Sequence, residues 1–479
     1  MRTGYSVETV RAAERALMAE LPEGTLMQRA AAGLAAACAD LLGRVYGARV
    51  ALLVGSGDNG GDALYAGARL ARRGAGVTAV LLAPDRAHTG GLRALRAAGG
   101  RAVTGAQGGV RAVERADLVV DGIVGIGGKG GLRPEAQELV RAAEGALVVA
   151  VDLPSGIDAD TGEVRGAAVR ADATVTFGTY KPGLLVDPAR EHAGALRLVD
   201  IGLGPWLPAA PDIEALQHAD VAGLLPRPEA ESDKYRRGVV GIVAGSARYP
   251  GAAVLAVAGA LAGGAGAVRY AGPAADAVIA RFPETLVTTG PPSKAGRVQA
   301  WVVGPGLGDG AEAERALADV LESDVPALVD ADGLRLLDPA TVRARTAETV
   351  LTPHAGEAAA LLGLAREEVE SARVEAVRAL AARFGVTALL KGSTTLVATP
   401  ATPLRVNPTG TPWLATAGSG DVLSGLTGSL LATGLPGRDA ASVGAYLHGL
   451  AARRLGAAPI TSVAVAERLR EVWRDVSNG

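Results

Sequence analysis

Two glycine-rich segments of this 479-residue chain carry polar residues whose types and spacing could do chemistry. Residues 54–62 read VGSGDNGGD, in which Asn59 and Asp62 add polar groups that a simple turn does not need. Residues 417–421 read AGSGD, and Asp421 is predicted to lie in the first turn of a helix. Glycines let the backbone approach a ligand closely, and a helix N-terminus favours an anion. Both segments therefore predict anion-binding loops.

Further carboxylates follow two strands of the N-terminal half. Asp121 ends one apolar run, and Asp152 ends the next and leads into LPSGID. Ligands of open parallel sheets bind outside the carboxyl ends of the strands, so these carboxylates and the loop 55–61 should converge. Asn59, Asp121 and Ser155 offer only oxygen ligands, which suit a hard cation. Each aspartate alone could equally cap a loop, but three such strand ends in one sheet favour a functional site.

The C-terminal half has a comparable set of motifs: VVGPGLG at 302–308, LTPHAGE at 351–357 and LLKGSTTLV at 389–397. Asp421 could accept a proton from a substrate hydroxyl while helix amides stabilise a transferring phosphoryl group, or it could merely complement the helix dipole. His354 alone is more often structural. Lys391 stands out because only five of the 48 basic residues are lysines. Together these motifs predict a nucleotide site.

The elements that must position these residues alternate between strands and helices, which predicts parallel sheets covered on both faces. The predicted strands are 50–54, 77–82, 117–120, 146–151 and 173–177, then 238–244, 301–303, 327–329, 350–351 and 388–390, with a hairpin-like pair at 395–398 and 403–406. The uncharged stretch 249–268 contains five glycines and predicts a buried helix that lets backbones approach closely. The predicted fold class is α/β: a Rossmann-like three-layer sandwich is followed by a second α/β sandwich, whose motifs resemble those of a ribokinase-like α/β sandwich.

The alternating pattern lapses between residues 200 and 237, where five prolines occur. This predicts a domain of residues 1–205, a semi-rigid connection at 206–233 and a second domain of residues 234–479. The two halves show no internal repeat, so the chain reads as a fusion.

Composition excludes several classes of protein. With 49% hydrophobic and 20% charged residues, the chain is not disordered. A net charge of −2 argues against a general nucleic-acid or anionic-membrane footprint. The single cysteine, Cys38, excludes a disulfide framework and a cysteine-built zinc site. Glu8, Glu14 and Glu20 are wrong for a signal peptide, so we expect a cytoplasmic protein.

The N-terminal motifs resemble the YjeF N-terminal family, the NAD(P)H-hydrate epimerases. The resemblance covers most of residues 1–205 and rests on DNGGD at 58–62, the Asp121 loop, VDLPSG at 151–156 and FGTYKPG with Lys181. It implies that Asn59, Asp121 and Ser155 hold K⁺ and that Asp152 and Lys181 serve catalysis. It also implies that the hydrated nucleotide contacts Asp58, Asn59, Gly60, Gly61, Asp62, Gly125, Ile126, Gly127, Gly128, Lys129, Gly130, Gly131 and Asp152.

The C-terminal motifs resemble the ADP/ATP-dependent NAD(P)H-hydrate dehydratases, a branch of the ribokinase-like superfamily, from about Lys234 to Leu455. The resemblance implies a catalytic Asp421 and Mg²⁺ with ADP or ATP as co-substrate. The implied contacts to the hydrated nucleotide are Ala252, Gly306, His354 and Asp421. The implied contacts to ADP are Lys391, Gly392, Ser393, Thr394, Thr395 and Gly420.

The fusion has a chemical logic. Hydration of the nicotinamide ring creates a stereocentre that bears a hydroxyl group. Hydroxide is a poor leaving group, but phosphorylation of this hydroxyl group allows phosphate to leave instead. A chiral dehydratase accepts one epimer, and an attached epimerase makes the other usable. We therefore expect an enzyme that repairs NADHX and NADPHX. It epimerises their R and S forms and dehydrates the S form with ADP or ATP, releasing AMP and phosphate. We also expect it to be a homo-oligomer. The alternative is a vitamin or sugar-alcohol kinase with an N-terminal binding module.

Overall fold

The computed structural model describes residues 1–478, the side chains of residues 106 and 107 excepted. The chain divides into two compact units, which we call the N-terminal unit (residues 3–212) and the C-terminal unit (residues 1–2 and 213–478). A short strand, β1 (Arg2–Gly4), begins the chain. Within the described residues, no helix combines the length and apolarity that a membrane span needs.

The N-terminal unit is built on a parallel sheet of seven strands. The strands are β2 (Arg49–Val54), β3 (Gly76–Leu81), β4 (Arg101–Thr104), β5 (Leu118–Gly122), β6 (Leu147–Val151), β7 (Ala173–Phe177) and β8 (Ala195–Val199). The helices are α1 (Val7–Met18), α2 (Thr25–Leu42), α3 (Asp58–Arg72), α4 (Thr89–Ala97), α5 (Ala106–Glu114), α6 (Pro134–Ala142) and α7 (Arg190–Ala193). The strand order is β4-β3-β2-β5-β6-β7-β8. Successive strands are added on one side of β2 up to β4 and on its other side from β5 onward, and a crevice forms at such a switch point between β2 and β5.

Side chains of β2 alternate between two apolar cores, as a sheet covered on both faces requires. Val50, Leu52 and Val54 belong to the core that also holds buried residues of α2 and α3. Ala51 and Leu53 belong to a separate core with residues of α6. The three-layer sandwich predicted from the sequence is confirmed.

The C-terminal unit contains ten further strands and twelve helices. The strands are β9 (Ile213–Ala215), β10 (Val239–Val243), β11 (Ala267–Ala271), β12 (Leu286–Thr288), β13 (Ala300–Val303), β14 (Ala327–Val329), β15 (Thr349–Leu351), β16 (Thr387–Leu390), β17 (Thr395–Ala398) and β18 (Leu404–Asn407). The helices are α8 (His218–Leu224), α9 (Pro250–Ala262), α10 (Ala275–Arg281), α11 (Ala311–Leu321), α12 (Asp332–Arg335), α13 (Pro339–Ala344), α14 (Ala355–Leu362), α15 (Arg366–Ser371), α16 (Arg373–Phe384), α17 (Ser419–Ala432), α18 (Gly437–Arg454) and α19 (Ser462–Asn478).

Strands β12-β11-β10-β13-β14-β15-β16 run parallel in that order, and β16-β17-β18 continue the sheet as antiparallel neighbours. The hairpin-like pair expected after residue 394 is therefore present. Side chains along β13 again alternate between the two faces of the sheet. Ala300 and Val302 pack with the helical cluster of α9, α17 and α18, whereas Trp301 and Val303 are buried outside that cluster.

Helices α9 and α17 touch backbone to backbone, as the glycine-rich stretch 249–268 predicted. A Cβ on Gly259 would lie 2.1 Å from the carbonyl oxygen of Val422. A Cβ on Gly425 would lie 1.8 Å from the carbonyl oxygen of Ala256. The stretch is not one helix, however: α9 ends at Ala262, Gly264 turns the chain with φ +85°, and residues 267–268 already belong to β11.

The predicted connection, residues 206–233, is only partly a connection. Residues 213–215 form β9, which pairs in parallel with β18. Residues 218–224 form α8, whose Val221 is fully buried in the core of the C-terminal unit. The apolar residues here are too few to show a period, which is why the sequence alone suggested a linker.

Candidate active sites

The N-terminal unit has a cavity of about 480 Å³ at the carboxyl edge of its sheet. The predicted residues that line it are Asp58, Asn59, Asp62, Gly125, Ile126, Gly127, Gly128 and Asp152. Gly60 and Gly61 are buried within α3, and Lys129, Gly130 and Gly131 are exposed beyond the lining. The loops after β2 and β5 therefore meet Asp152 at the cavity, whereas Asp121 and Ser155 are not part of its lining.

Glycine is required where the loops after β2 and β5 meet. A Cβ on Gly55 would lie 1.8 Å from the carbonyl oxygen of Ile123. A Cβ on Gly125 would lie 2.3 Å from the side-chain oxygen of Asn59. Helix α3 begins at Asp58, directly after this contact. The sequence places glycines there because any side chain would push the two loops apart.

Sequence reasoning missed one wall of this cavity, which α1 provides. Arg11, Glu14 and Arg15 line it, and a Cβ on Gly127 would lie 2.9 Å from Nη2 of Arg11. Burial raises the pKa of Glu14; Lys181 opposes the shift, and Asp152 adds to it. An amphipathic pattern such as that of α1 predicts a helix but does not distinguish charged residues that line a cavity from those on a solvated face.

Asp152 and Lys181 form a buried ion pair. Lys181 Nζ lies 2.5 Å from Asp152 Oδ1, and the lysine side chain is 1% exposed. Thr176 Oγ1 and the backbone N–H of Phe177 also donate to Asp152 Oδ1, at 2.9 and 3.2 Å. Asp152 itself has φ +67°, a left-handed conformation that costs a non-glycine residue about 1–3 kcal/mol. The pair thus holds a carboxylate in a fixed, strained position at the cavity wall.

Asp121 is fully buried, beside Ser155. It accepts hydrogen bonds from Ser155 Oγ at 2.7 Å and from the N–H groups of Ser155 and Ile123 at 2.8 and 3.3 Å. Burial raises the pKa of Asp121 to about 6, against the lowering effect of those hydrogen bonds. Among the described side chains, no basic group pairs with it.

Asn59 contacts the backbone next to this carboxylate in the sequence and at the end of the neighbouring strand β6. The Nδ2 of Asn59 donates to the backbone carbonyl of Val151 at 2.5 Å. A Cβ on Gly122 would lie 2.9 Å from the backbone carbonyl oxygen of Asn59. A buried carboxylate without a counter-charge, surrounded by hydroxyl, amide and carbonyl oxygens, fits a monovalent alkali cation. The residue types expected for K⁺ are thus near one another.

The C-terminal unit has a cavity of about 550 Å³ at the start of α17. The predicted residues that line it are His354, Lys391, Gly392, Ser393, Thr395, Gly420 and Asp421. Thr394 is fully buried behind this lining. Ala252 and Gly306 lie outside the lining but close to each other, since a Cβ on Gly306 would lie 2.7 Å from that of Ala252.

Asp421 lies in the first turn of α17, next to the free amides of the helix N-terminus. Gly418 precedes the helix with φ +84°, which glycine tolerates. Burial raises the pKa of Asp421 to about 7; Asp330 raises it further, and Lys391 opposes the shift. A carboxylate with this pKa is suited to take and return a proton near neutral pH.

Asp330 is a site residue that sequence reasoning missed. Its carboxylate is 1% exposed and accepts from Lys391 Nζ and Ser424 Oγ, each at 2.6 Å. Burial lowers the pKa of Lys391, but Asp330 and Glu357 outweigh burial and the pKa is raised. The signal was available: VDADG at 329–333 places an aspartate directly after a strand, the pattern that identified Asp121 and Asp152.

Two histidines belong to this cavity. His354 caps α14: its Nδ1 accepts from the Glu357 N–H at 3.1 Å, while the Glu357 carboxylate accepts from the His354 N–H at 2.8 Å. His448, on α18, was not predicted. Burial lowers its pKa to about 4, against a hydrogen bond with the Ser419 backbone, and its Nε2 has no partner among the described residues.

Comparison with known proteins identifies both units. A family model described as YjeF-related protein N-terminus matches residues 23–183, and one described as NAD(P)H-hydrate dehydratase matches residues 240–472. The bifunctional NAD(P)H-hydrate repair enzyme Nnr of Mycobacterium leprae is 52% identical over 467 residues, which span 96% of this chain and 95% of that protein. The enzyme of the same name from Mycobacterium tuberculosis H37Rv is 50% identical and covers 92% of each chain.

The chain belongs to the bifunctional NAD(P)H-hydrate repair enzymes.

A solved relative of the C-terminal unit adds detail to this repair-enzyme assignment. The ADP/ATP-dependent NAD(P)H-hydrate dehydratase from Bacillus subtilis, co-crystallised with ATP/Mg²⁺, is 28% identical with a TM-score of 0.50, covering 54% of this chain and 97% of that one. A ribokinase-like superfamily protein from Enterococcus faecalis has the same TM-score at 22% identity, covering 56% and 98%. The predicted ribokinase-like sandwich is confirmed, and the alternative of a vitamin or sugar-alcohol kinase is not favoured.

Proposed function

We propose that this repair enzyme uses both of its cavities. The N-terminal cavity interconverts the R and S hydrates of NADH and NADPH. The C-terminal cavity dehydrates the S form at the expense of ADP, or ATP, releasing phosphate and, from ADP, AMP. The observation that carries the proposal is similarity to bifunctional repair enzymes over 96% of the chain. The assignment of these activities to residues 1–205 and 234–479 is part of the proposal.

In the dehydratase, Asp421 takes the proton of the hydroxyl on C6 of the hydrated ring. The hydroxyl oxygen then bonds to the terminal phosphorus of the nucleotide, and the bond from that phosphorus to the departing nucleotide breaks. Phosphate next leaves C6, a proton leaves C5, and the dihydropyridine ring is restored. The amides at the start of α17 and the ammonium of Lys391 stabilise the phosphoryl charge.

The nucleotide would enter with Mg²⁺, which neutralises phosphate charge when bound. Glu357 would hold this Mg²⁺, because its carboxylate lines the cavity. That carboxylate lies 3.7 Å from Lys391 Nζ. Asp330, by holding Lys391 and Ser424, keeps the lysine beside Gly420 at the start of α17: a Cβ on Gly420 would lie 3.4 Å from Lys391 Nζ.

In the epimerase, Asn59, Asp121 and Ser155 would hold K⁺, which supplies the counter-charge that Asp121 lacks. The paired carboxylate of Asp152 holds or moves a proton as the hydroxyl-bearing carbon inverts. Lys181 keeps that carboxylate in place through their ion pair. The glycines of the 125–128 loop let the backbone approach the nucleotide.

The test is incubation of the full chain with both epimers of hydrated NADH, ADP or ATP, Mg²⁺ and K⁺. We expect the absorbance of the dihydropyridine to return for the whole of the substrate, with one phosphate released per ring restored. A phosphorylated product that accumulates without ring restoration would refute the dehydratase and revive a kinase. Restoration that stops at the fraction of S epimer would refute the epimerase.

A further inference from the structure

One carboxyl group in the N-terminal cavity has an oxygen atom without a hydrogen-bond partner among the described residues. Asp62 lies on α3, is 6% exposed and lines the cavity. Its Oδ1 is buried, and no hydrogen-bond donor among the described residues contacts it. A buried carboxylate without a donor or a cation is unfavourable by several kcal/mol. Such a group either takes up a proton or receives a partner from a ligand.

The groups around Asp62 do not supply a counter-charge. Burial raises its pKa well above the ordinary range, and Asp152, Asp58 and Glu14 each raise it further. The nearby cations are engaged or turned elsewhere. Lys181 pairs with Asp152, His88 Nδ1 accepts from the Gly91 N–H, and neither Arg11 nor Arg15 forms an ion pair with Asp62 in the described chain.

Asp62 and Asp152 are therefore two aspartates of one cavity in opposite environments. Asp152 accepts three hydrogen bonds at Oδ1, one of them from the ammonium group of Lys181. Asp62 accepts none at Oδ1 and faces carboxylates. Two carboxyl groups held apart in this way are the arrangement by which enzymes obtain an acid and a base from one residue type.

We propose that Asp62 is the general acid of the epimerase and that Asp152 is the general base, an inference that rests on the proposed epimerase function. Asp62 donates its proton to the hydroxyl oxygen on C6. The C6–O bond breaks, water leaves, and the lone pair of the ring nitrogen forms a C=N bond to C6.

Water then adds to the opposite face of C6 and gives up a proton to the carboxylate of Asp152. The electron pair of the C=N bond returns to the ring nitrogen, so the ring is neither oxidised nor reduced. One proton has passed from Asp62 to Asp152, and exchange with solvent restores the starting state. The positively charged ring formed in between lies among the carboxylates of the cavity, which stabilise it.

The experiment compares the full-length wild type, Asp62→Asn and the control Asp85→Asn, which removes an exposed carboxylate outside the cavity. Epimerisation of purified R hydrate is followed by separation of the epimers in K⁺ buffer without nucleotide. We expect Asp62→Asn to lose about a hundred- to ten-thousand-fold in kcat, the usual contribution of one acid, while KM and the unfolding temperature stay near those of the wild type. Asp85→Asn should match the wild type.

Two further measurements use the wild type, and the first of them also uses Asp62→Asn. The kcat/KM of the wild type should fall at alkaline pH as Asp62 loses its proton, and the residual rate of Asp62→Asn should lack that limb. In ¹⁸O-water, each inversion should place one solvent oxygen on C6. Full activity in Asp62→Asn, an alkaline limb that persists in it, or inversion without ¹⁸O would each overturn the proposal. A wild type that fails to epimerise at all would instead refute the proposed function.

Discussion

Under the proposed mechanism, in which Asp421 is the base, the pKa of Asp421 sets the pH dependence of the dehydratase. The base works only when it is ionised, and its pKa is raised from 3.8 to about 7. About a tenth of the molecules then carry the ionised base at pH 6, half at pH 7 and about nine-tenths at pH 8. We expect kcat/KM for the S hydrate to rise about tenfold from pH 6 to pH 8, since kcat/KM reports the free enzyme.

The cause of this shift can be tested with Asp330→Asn. Asp330 is the first charged group among the causes that raise the pKa of Asp421. Through an effective dielectric of about 20, one charge at about 6–12 Å contributes on the order of 1–3 kcal/mol, or about one to two pH units. The substitution also frees Lys391 from its ion pair, which acts in the same direction. The acid limb should therefore move down by about one unit or more.

The assay is the initial rate of dihydropyridine formation at saturating nucleotide, measured between pH 5 and 9 in buffers of constant ionic strength. Asp276→Asn, which removes an exposed carboxylate on α10, is the matched control and should leave the limb in place. A wild-type profile that is flat between pH 6 and 8 would mean that Asp421 titrates as an ordinary carboxyl group. A limb that stays in place in Asp330→Asn would remove Asp330 as a cause.

Three further outcomes are expected. The pKa of Asp121 is about 6 rather than 3.8, so ionising this buried carboxyl group costs about 3 kcal/mol. Without K⁺, the N-terminal unit should therefore lose stability as pH rises from about 4 to 6. Addition of K⁺ should raise its unfolding temperature, and Asp121→Asn should abolish that response. With mixed epimers, Asp152→Asn should convert only the S epimer quickly, and Asp421→Asn should interconvert the epimers without restoring the ring. A mixture of the two variants should convert all of the substrate. A progress curve of that mixture that stays biphasic would contradict two separate sites. The Cβ of Gly425→Ala would lie 1.8 Å from a carbonyl oxygen of α9. This variant should lose about 1–3 kcal/mol of stability by calorimetry and much of the initial rate of dehydration. Gly251→Ala, with open space around its Cβ, should lose neither.

The central strands and the loops after them were predictable because their signals are local. Continuous apolar runs such as 50–54 are buried on both faces. Asp121 and Asp152 directly follow two such runs, the first within β5 and the second just after β6. The strands that escaped prediction are β1, β4, β8, β9, β11 and β12. The inner strand β11 was hidden because its first residues continue the apolar stretch predicted as a helix. The strands β4, β8 and β12 lie at the edges of their sheets and are partly exposed. An edge strand needs only a weak apolar pattern, so its sequence resembles a loop.

The site residues that escaped prediction have a different cause. Glu14 and His448 lie on helices, where a charged or polar residue looks like part of a solvated face until the packing of that helix is known. The partnerless state of Asp62 is likewise a property of three-dimensional surroundings, since its position in DNGGD gives no sign of which neighbours lack a cation. Tertiary packing decides these roles, and a single sequence does not encode it locally.

The strand β9 has a consequence for dividing the chain into pieces. Glu214, on β9, pairs with Arg405 at 2.7 Å and with Arg438 at 2.8 Å, and Arg405 is only 9% exposed. A fragment that starts at residue 234, where the family motifs start, would leave these arginines without that carboxylate and would bare the hydrogen-bonding edge of β18. Such an edge recruits other chains. The shortest dehydratase fragment fit for expression therefore begins before Ile213, some twenty residues ahead of its first recognisable motif.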